Sequence, residues 1–78
     1  MSLMIEVFLA EAQSANRADV IAAANGALGR VSFEETNEGS RLQKGVCLTF
    51  DFSFAEQAQQ AAKLLAAQGF HVEGPYDY

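Results

Sequence analysis

Residues 46–52, with the sequence VCLTFDF, decide the fold of this chain. Every second residue of the stretch is large and apolar, and the residues between them are smaller or polar. The first set is Val46, Leu48, Phe50 and Phe52, and the second is Cys47, Thr49 and Asp51. This period of two predicts a strand with one buried face.

A helix is predicted directly after this strand. Ser53 and Glu56 have the spacing of a capping box, in which the serine hydroxyl and the glutamate each satisfy a backbone amide at the helix start. Gly69 provides the stop signal. The apolar stripe between these signals is rich in alanine, which allows close approach to a sheet, and consists of Ala58, Ala61, Ala62 and Leu65.

The first half of the chain repeats this strand and helix pattern. Alternation predicts a strand over residues 5–9, and a helix follows over about 16–28, with Ser14 or Asn16 as N-cap and Gly29 as its stop. Val20, Ile21, Ala24 and Leu28 form its apolar stripe. Gly26 weakens the last turn of this helix, because glycine costs about 1 kcal/mol relative to alanine inside a helix.

Two further short strands complete the pattern. Val31 and Phe33 alternate with polar residues before the turn formers at 37–40, and Phe70 and Val72 open a last strand that we expect Pro75 to stop. The order βαββαβ predicts an α+β, ferredoxin-like fold with a four-stranded antiparallel sheet, order 4-1-3-2, and both helices on one face. We expect a single domain over residues 4–78, with residues 1–3 an added leader before Met4.

The alternation also predicts which side chains face the helices. Those expected inside are Ile5, Val7, Leu9, Val31, Phe33, Val46, Leu48, Phe50, Phe52, Phe70 and Val72. The open face then carries Met4, Glu6, Phe8, Ser32, Glu34, Cys47, Thr49, Asp51, His71 and Glu73. Apolar residues on a bare sheet face indicate an interface. We therefore expect a homodimer or another protein to contact Met4, Phe8, Cys47 and Thr49, with the terminal Tyr76 and Tyr78 as a second aromatic contact.

Glu6, Cys47 and His71 share the open face. A carboxylate, a thiol and an imidazole are the components of a nucleophilic or acid-base site. However, a strand cysteine is more often a small packing residue, and the chain has no glycine-rich nucleophile turn. We therefore assign no catalytic residue, no cofactor and no metal, and keep these three residues as a polar cluster.

The chain is acidic, with ten Asp and Glu against five Lys and Arg and a formal net charge of −5. This charge disfavours nucleic acid and anionic membranes as partners. Glu34, Glu35 and Glu38 form a candidate acidic docking site for a basic partner, or a solvated edge that blocks aggregation. The single cysteine and the lack of a signal sequence predict a cytoplasmic location.

The second half of the chain resembles the type B protein regulators of ribonuclease E activity. The likeness runs from the strand GVCLTFD at residues 45–51, through the alanine- and glutamine-rich helix, to GFHVE at 69–73 and YDY at 76–78. That family is small, acidic, bacterial and ferredoxin-like. The resemblance implies a non-catalytic protein that binds another protein, with no catalytic residue to transfer.

The expected function is a non-catalytic regulatory or protein-binding module, such as an inhibitor-type regulator, that acts by protein contact. The first alternative is a small-molecule-sensing regulatory domain. The second is a dimeric α/β-barrel enzyme that uses His71 with Glu6.

Overall fold

The computed structural model describes residues 3–37 and 45–77 of the chain. Four strands form one antiparallel sheet in the order β2-β3-β1-β4, accompanied by two α-helices and a 3₁₀ helix over Glu11–Asn16. The elements are β1 (Leu3–Ala10), α1 (Arg17–Gly26), β2 (Arg30–Asn37), β3 (Gly45–Phe52), α2 (Ala55–Ala67) and β4 (His71–Asp77). The predicted ferredoxin-like arrangement is confirmed.

The core lies between the helices and one face of the sheet. Phe50 and Phe52 on β3 are buried, as the alternation predicts, and so are Ile5, Val7 and Leu9 of β1. Val20 and Ala24 of α1 and Ala58, Ala61 and Leu65 of α2 pack in the same cluster as Ile5, Val7, Leu9 and Leu48. This burial of the aliphatic and aromatic side chains is the main stabilising contribution to the fold.

Helix α1 is shorter than the predicted 16–28, because it begins at Arg17, directly after the 3₁₀ helix, and ends at Gly26. The chain then closes a Schellman motif, in which the Gly29 amide donates to Ala24 O at 2.8 Å and the Leu28 amide to Asn25 O at 3.0 Å. Leu28 occupies the left-handed position, with φ 69°. Its predicted place in the apolar stripe is wrong, since it is 69% exposed.

Helix α2 begins at Ala55, and its N-cap is Phe54 in extended conformation without a side-chain hydrogen bond to the helix. The predicted capping box of Ser53 and Glu56 is therefore wrong. The cap lies one residue later than the motif requires, so Glu56 is at the second helical position and not the third. The predicted stop is confirmed, because Gly69 takes the left-handed position of a Schellman motif at φ 97°.

A bulge in β2 changes which of its residues share the face of the helices. Val31 lies opposite Phe50, but the register shifts at Ser32 so that Phe33 lies opposite Thr49 and Glu34 opposite Leu48. The expectation that Glu34 lies on the open side is therefore wrong, and the register position expected for Phe33 beside the helices is also wrong. One inserted residue exchanges the two faces for the rest of a strand.

Strand β4 continues past Pro75 to Asp77, so the expected stop is also wrong. Gly74 adopts φ 102°, and the register with β1 shifts between Met4 and Glu6. This bulge accommodates the proline in an edge strand, and Tyr76 pairs with Met4 beyond it.

Leu3, assigned to the leader, belongs to β1 and packs against the core. Within the described residues, no helix has both the length and the apolar character that a membrane crossing requires.

Candidate functional site

The open sheet face is organised as three rows of directly paired residues. Each row crosses the strands in the order β2, β3, β1, β4, and paired residues share a face. The rows are Arg30, Asp51, Met4 and Tyr76; Phe33, Thr49, Glu6 and Glu73; and Glu35, Cys47, Phe8 and His71. None of the described helices covers these positions, since both pack on the other face.

The predicted interface residues differ in accessibility. Tyr76 is 44% exposed, and Met4 and Phe8 are half-buried. Cys47 and Thr49 are buried between their cross-strand neighbours, with exposures of 4% and 8%. A partner on this face would therefore touch the first three side chains, with Cys47 and Thr49 beneath them. Tyr78 lies outside the described residues.

Glu6 and Cys47 are in contact. The Cys47 thiol donates to Glu6 Oε2 at an Sγ to Oε2 distance of 3.9 Å. Glu6 and Cys47 are not directly paired, but they lie in adjacent rows on neighbouring strands. The structure therefore brings together two members of the predicted polar cluster.

His71, the third member, contacts other groups. Its Nε2 lies 3.0 Å from Glu73 Oε2, and the Tyr76 hydroxyl donates to Glu73 Oε1 at 3.4 Å. The His71 ring also stands edge-on to Phe8, with a centroid distance of 5.3 Å. Glu73 thus holds both His71 and Tyr76 on the edge strand.

Phe8 separates the imidazole from the thiol. Cys47 on β3 and His71 on β4 both pair with Phe8 on the strand between them. Two strand spacings amount to about 10 Å, which is well beyond hydrogen-bond reach. The cluster therefore divides into the pair of Glu6 and Cys47 and a separate His71, which contacts Glu73, and no nucleophile and base contact joins Cys47 to His71. In the described part of the chain, no group of three or more His, Cys, Asp and Glu residues could hold a metal ion.

Of the three glutamates of the proposed acidic docking site, the structure describes the side chain of Glu34. Glu34 lies on the helix side of β2 and forms a bidentate ion pair with Arg17 of α1, in which Arg17 Nε donates to Oε2 at 3.0 Å. This hydrogen bond lowers the pKa of the Glu34 carboxyl and raises the pKa of Arg17. The Glu35 side chain and all of Glu38 lie outside what the structure describes.

Sequence reasoning missed the role of Glu73. Glu73 pairs with Glu6 because the register of β4 against β1 shifts between Met4 and Glu6. A single sequence contains no signal for this shift, because the alternation of a short edge strand fits several registers.

The chain matches no protein-family model, no curated protein and no solved structure.

Proposed function

We propose that this domain is a non-catalytic regulatory module that acts by protein contact through its open sheet face, and that it self-associates there. The observation that supports this proposal is the position of Met4, Phe8 and Tyr76. They lie on the face opposite the helices, with Met4 and Tyr76 paired in one outer row and Phe8 in the other, on either side of the row of Glu6 and Glu73. An apolar group left uncovered on a sheet is typical of a binding surface.

The size of the face favours a reversible contact. Four strands of about eight residues give a projected area on the order of 500 Å². Standard interfaces bury about 800 Å² on each partner, and weak, transient ones bury less. We therefore expect association in the micromolar range or weaker, as befits a regulatory contact.

The division of the polar cluster supports a non-catalytic role. Cys47 is buried and paired with Glu6, while His71 is paired with Glu73. A nucleophile needs a base within hydrogen-bond reach, and an acid-base pair needs access to substrate. The alternative of a barrel enzyme that uses His71 with Glu6 would require a second sheet to close a cavity over both.

A basic partner protein is a second candidate for the same face. Glu6 and Glu73 lie directly opposite each other on β1 and β4, and the chain has a net charge of −5. A lysine or arginine from a partner would relieve the repulsion between these carboxylates. The likeness to the type B regulators of ribonuclease E activity supports an inhibitor-type regulator of this kind, acting in the cytoplasm.

The test is sedimentation equilibrium of the full chain over a range of concentrations. The proposal expects a concentration-dependent rise in mass for the wild type, and a monomer for Phe8→Asp and for Tyr76→Asp. Leu64→Asp is the matched control, because Leu64 is 45% exposed on α2, on the other side of the domain. Circular dichroism establishes that each variant is folded.

A wild-type chain that is monomeric at every concentration would exclude self-association. If the wild type associates and all three variants associate as strongly as it does, the assignment of Phe8 to an interface is wrong. A loss of association in Leu64→Asp alone would move the contact to the helices.

A further inference from the structure

Leu28 has an unusual combination of conformation and exposure. It occupies the left-handed position of the Schellman motif at the end of α1. In the equivalent motif at the end of α2, this position is held by Gly69. A left-handed conformation costs an L-residue with a side chain about 1–2 kcal/mol. The Leu28 side chain is also 69% exposed, the largest value among the exposed large hydrophobic residues of the described chain. Neither backbone preference nor burial explains a leucine here.

Phe54 lies at the same end of the domain and is 64% exposed. It is the N-cap of α2 and makes no side-chain hydrogen bond to the helix. Leu28 and Phe54 line one cleft of about 340 Å³, together with Gly29, Arg30, Ser53 and Gln57. The two most exposed large apolar side chains therefore border the same space, whose volume is that of a small ligand site.

Gln57 adds an unsatisfied polar atom. Its Oε1 is buried and accepts no hydrogen bond. Among the side-chain oxygen and nitrogen atoms of the described residues, it is the only buried one without a partner. A buried acceptor without a partner costs about 1–3 kcal/mol. Because Gln57 lines the cleft, a turn of its side-chain amide would bring this acceptor to a ligand N–H group.

Arg30 gives the cleft a positive charge. Among residues 3–37 and 45–77, it takes part in no ion pair, although it lies opposite Asp51 on β3. The N-cap residue of α2, Phe54, also gives the first helix amides no side-chain acceptor. Both features favour a carboxylate, and they act in addition to the apolar pair and the Gln57 acceptor.

We infer that this cleft binds a small apolar carboxylate that also carries an N–H donor. Its apolar group lies between Leu28 and Phe54, its carboxylate faces Arg30, and its N–H donates to Gln57 Oε1. A free apolar amino acid and the C-terminal residue of a peptide both have this chemistry. The cleft is at the α1–β2 and β3–α2 end of the domain, and the inference does not depend on the contact proposed for the open sheet face.

The experiment titrates the protein with each of three probes, at concentrations up to about 10 mM so that millimolar binding is detected. Binding is measured by calorimetry and by changes in amide chemical shifts. L-leucine represents the free amino acid, and N-acetyl-L-leucine represents a peptide C-terminus. L-leucinamide retains the apolar group and the N–H but has no carboxylate. Binding of either acid, with shifts at residues 28–30 and 53–57 and no binding of the amide, supports the inference.

The preference between the two acids identifies the source of the ligand. Tighter binding of L-leucine indicates a free amino acid, and tighter binding of N-acetyl-L-leucine indicates a peptide C-terminus. Failure of both acids to bind, or equal binding of the amide, would overturn the inference.

Leu28→Gly separates a ligand contact from a structural role. Glycine relieves the left-handed strain, so the variant should be at least as thermostable as the wild type. It should nevertheless bind the preferred acid about tenfold more weakly, because it removes the apolar contact between the leucine side chain and the ligand. Leu64→Ala, on the exposed side of α2, is the control that keeps the wild-type affinity. Wild-type affinity in Leu28→Gly would contradict the proposed site.

Discussion

Glu6 and Glu73 lie directly opposite each other on β1 and the edge strand β4, in the middle row of the open sheet face. Each carboxylate also has another partner, since Glu6 accepts from the Cys47 thiol and Glu73 contacts His71. Like charges at directly paired positions destabilise a sheet. We therefore expect this pair to lower the stability of the isolated domain at a position where a partner can approach.

Replacing Glu6 with glutamine should stabilise the isolated domain. Glu6→Gln removes one of two facing charges and keeps an oxygen that can accept from Cys47, so we expect the free energy of unfolding to rise by about 0.5 kcal/mol at neutral pH and low salt. Urea unfolding measures this change. The gain should shrink at high salt, where the repulsion is screened. A loss of stability in Glu6→Gln would show that the carboxylate is needed for the sheet.

Salt dependence distinguishes the two proposed partners of the open face. Two copies of a chain with net charge −5 repel each other, so added salt should strengthen self-association. A basic partner attracted by Glu6 and Glu73 should bind more weakly as salt rises. Sedimentation equilibrium at low and at high ionic strength shows whether added salt strengthens or weakens self-association. Weaker self-association at high salt would contradict contact between two acidic faces.

The reactivity of Cys47 tests the separation of the polar cluster. Because Cys47 is 4% exposed and His71 lies on the far side of β1, a thiol reagent should modify the folded protein slowly. His71→Ala should leave the rate within about twofold of the wild type, since no imidazole activates the thiol. Kinetics of alkylation under native conditions measure both. Rapid modification that is lost in His71→Ala would restore a catalytic hypothesis for this face.

The ion pair between Arg17 and Glu34 should make stability depend on pH in a defined direction. Arg17 lowers the pKa of Glu34 in the folded state, so the pair stabilises the fold above the ordinary glutamate pKa of about 4.3, and this contribution is lost as the pH falls through the lowered value. Both side chains are partly exposed, so the effect is small.

Glu34→Gln should therefore be slightly less stable than the wild type at pH 7, and the difference should close below about pH 4. Arg17→Gln should behave in the same way, and the double variant should add little to either single one. Thermal unfolding from pH 3 to pH 7 measures these differences. A deficit in Glu34→Gln that is unchanged across this range would mean that the ion pair does not contribute.

The buried face of β1 and β3 was predictable from sequence because both strands are regular. Alternation placed Phe50 and Phe52 with the helices, and their near-complete burial follows from the hydrophobic effect alone. It placed Glu6 and Cys47 on the open face, where the structure has them in contact. No bulge interrupts the pairing between these central strands.

The edge strands were less predictable, because a bulge in each breaks the alternation. The extra residue at Ser32 exchanges the register positions of Phe33 and Glu34, and beyond the shift at Gly74 and Pro75 β4 continues to Asp77. Edge strands accommodate such irregularities because they pair on one side only. The Leu28 turn escaped prediction because glycine follows it, and the left-handed position falls one residue earlier than the sequence indicates.

The most direct test of the open-face proposal is nuclear magnetic resonance cross-saturation between differently labelled copies of the wild-type chain. Saturation of an unlabelled copy should reduce signals of the deuterated, methionine- and aromatic-labelled copy at Met4, Phe8 and Tyr76, because these side chains would touch the second copy. The side chains of α2, including Leu64, should keep their intensity. Signal loss confined to the helices, or no loss at millimolar protein, would contradict self-association through the sheet.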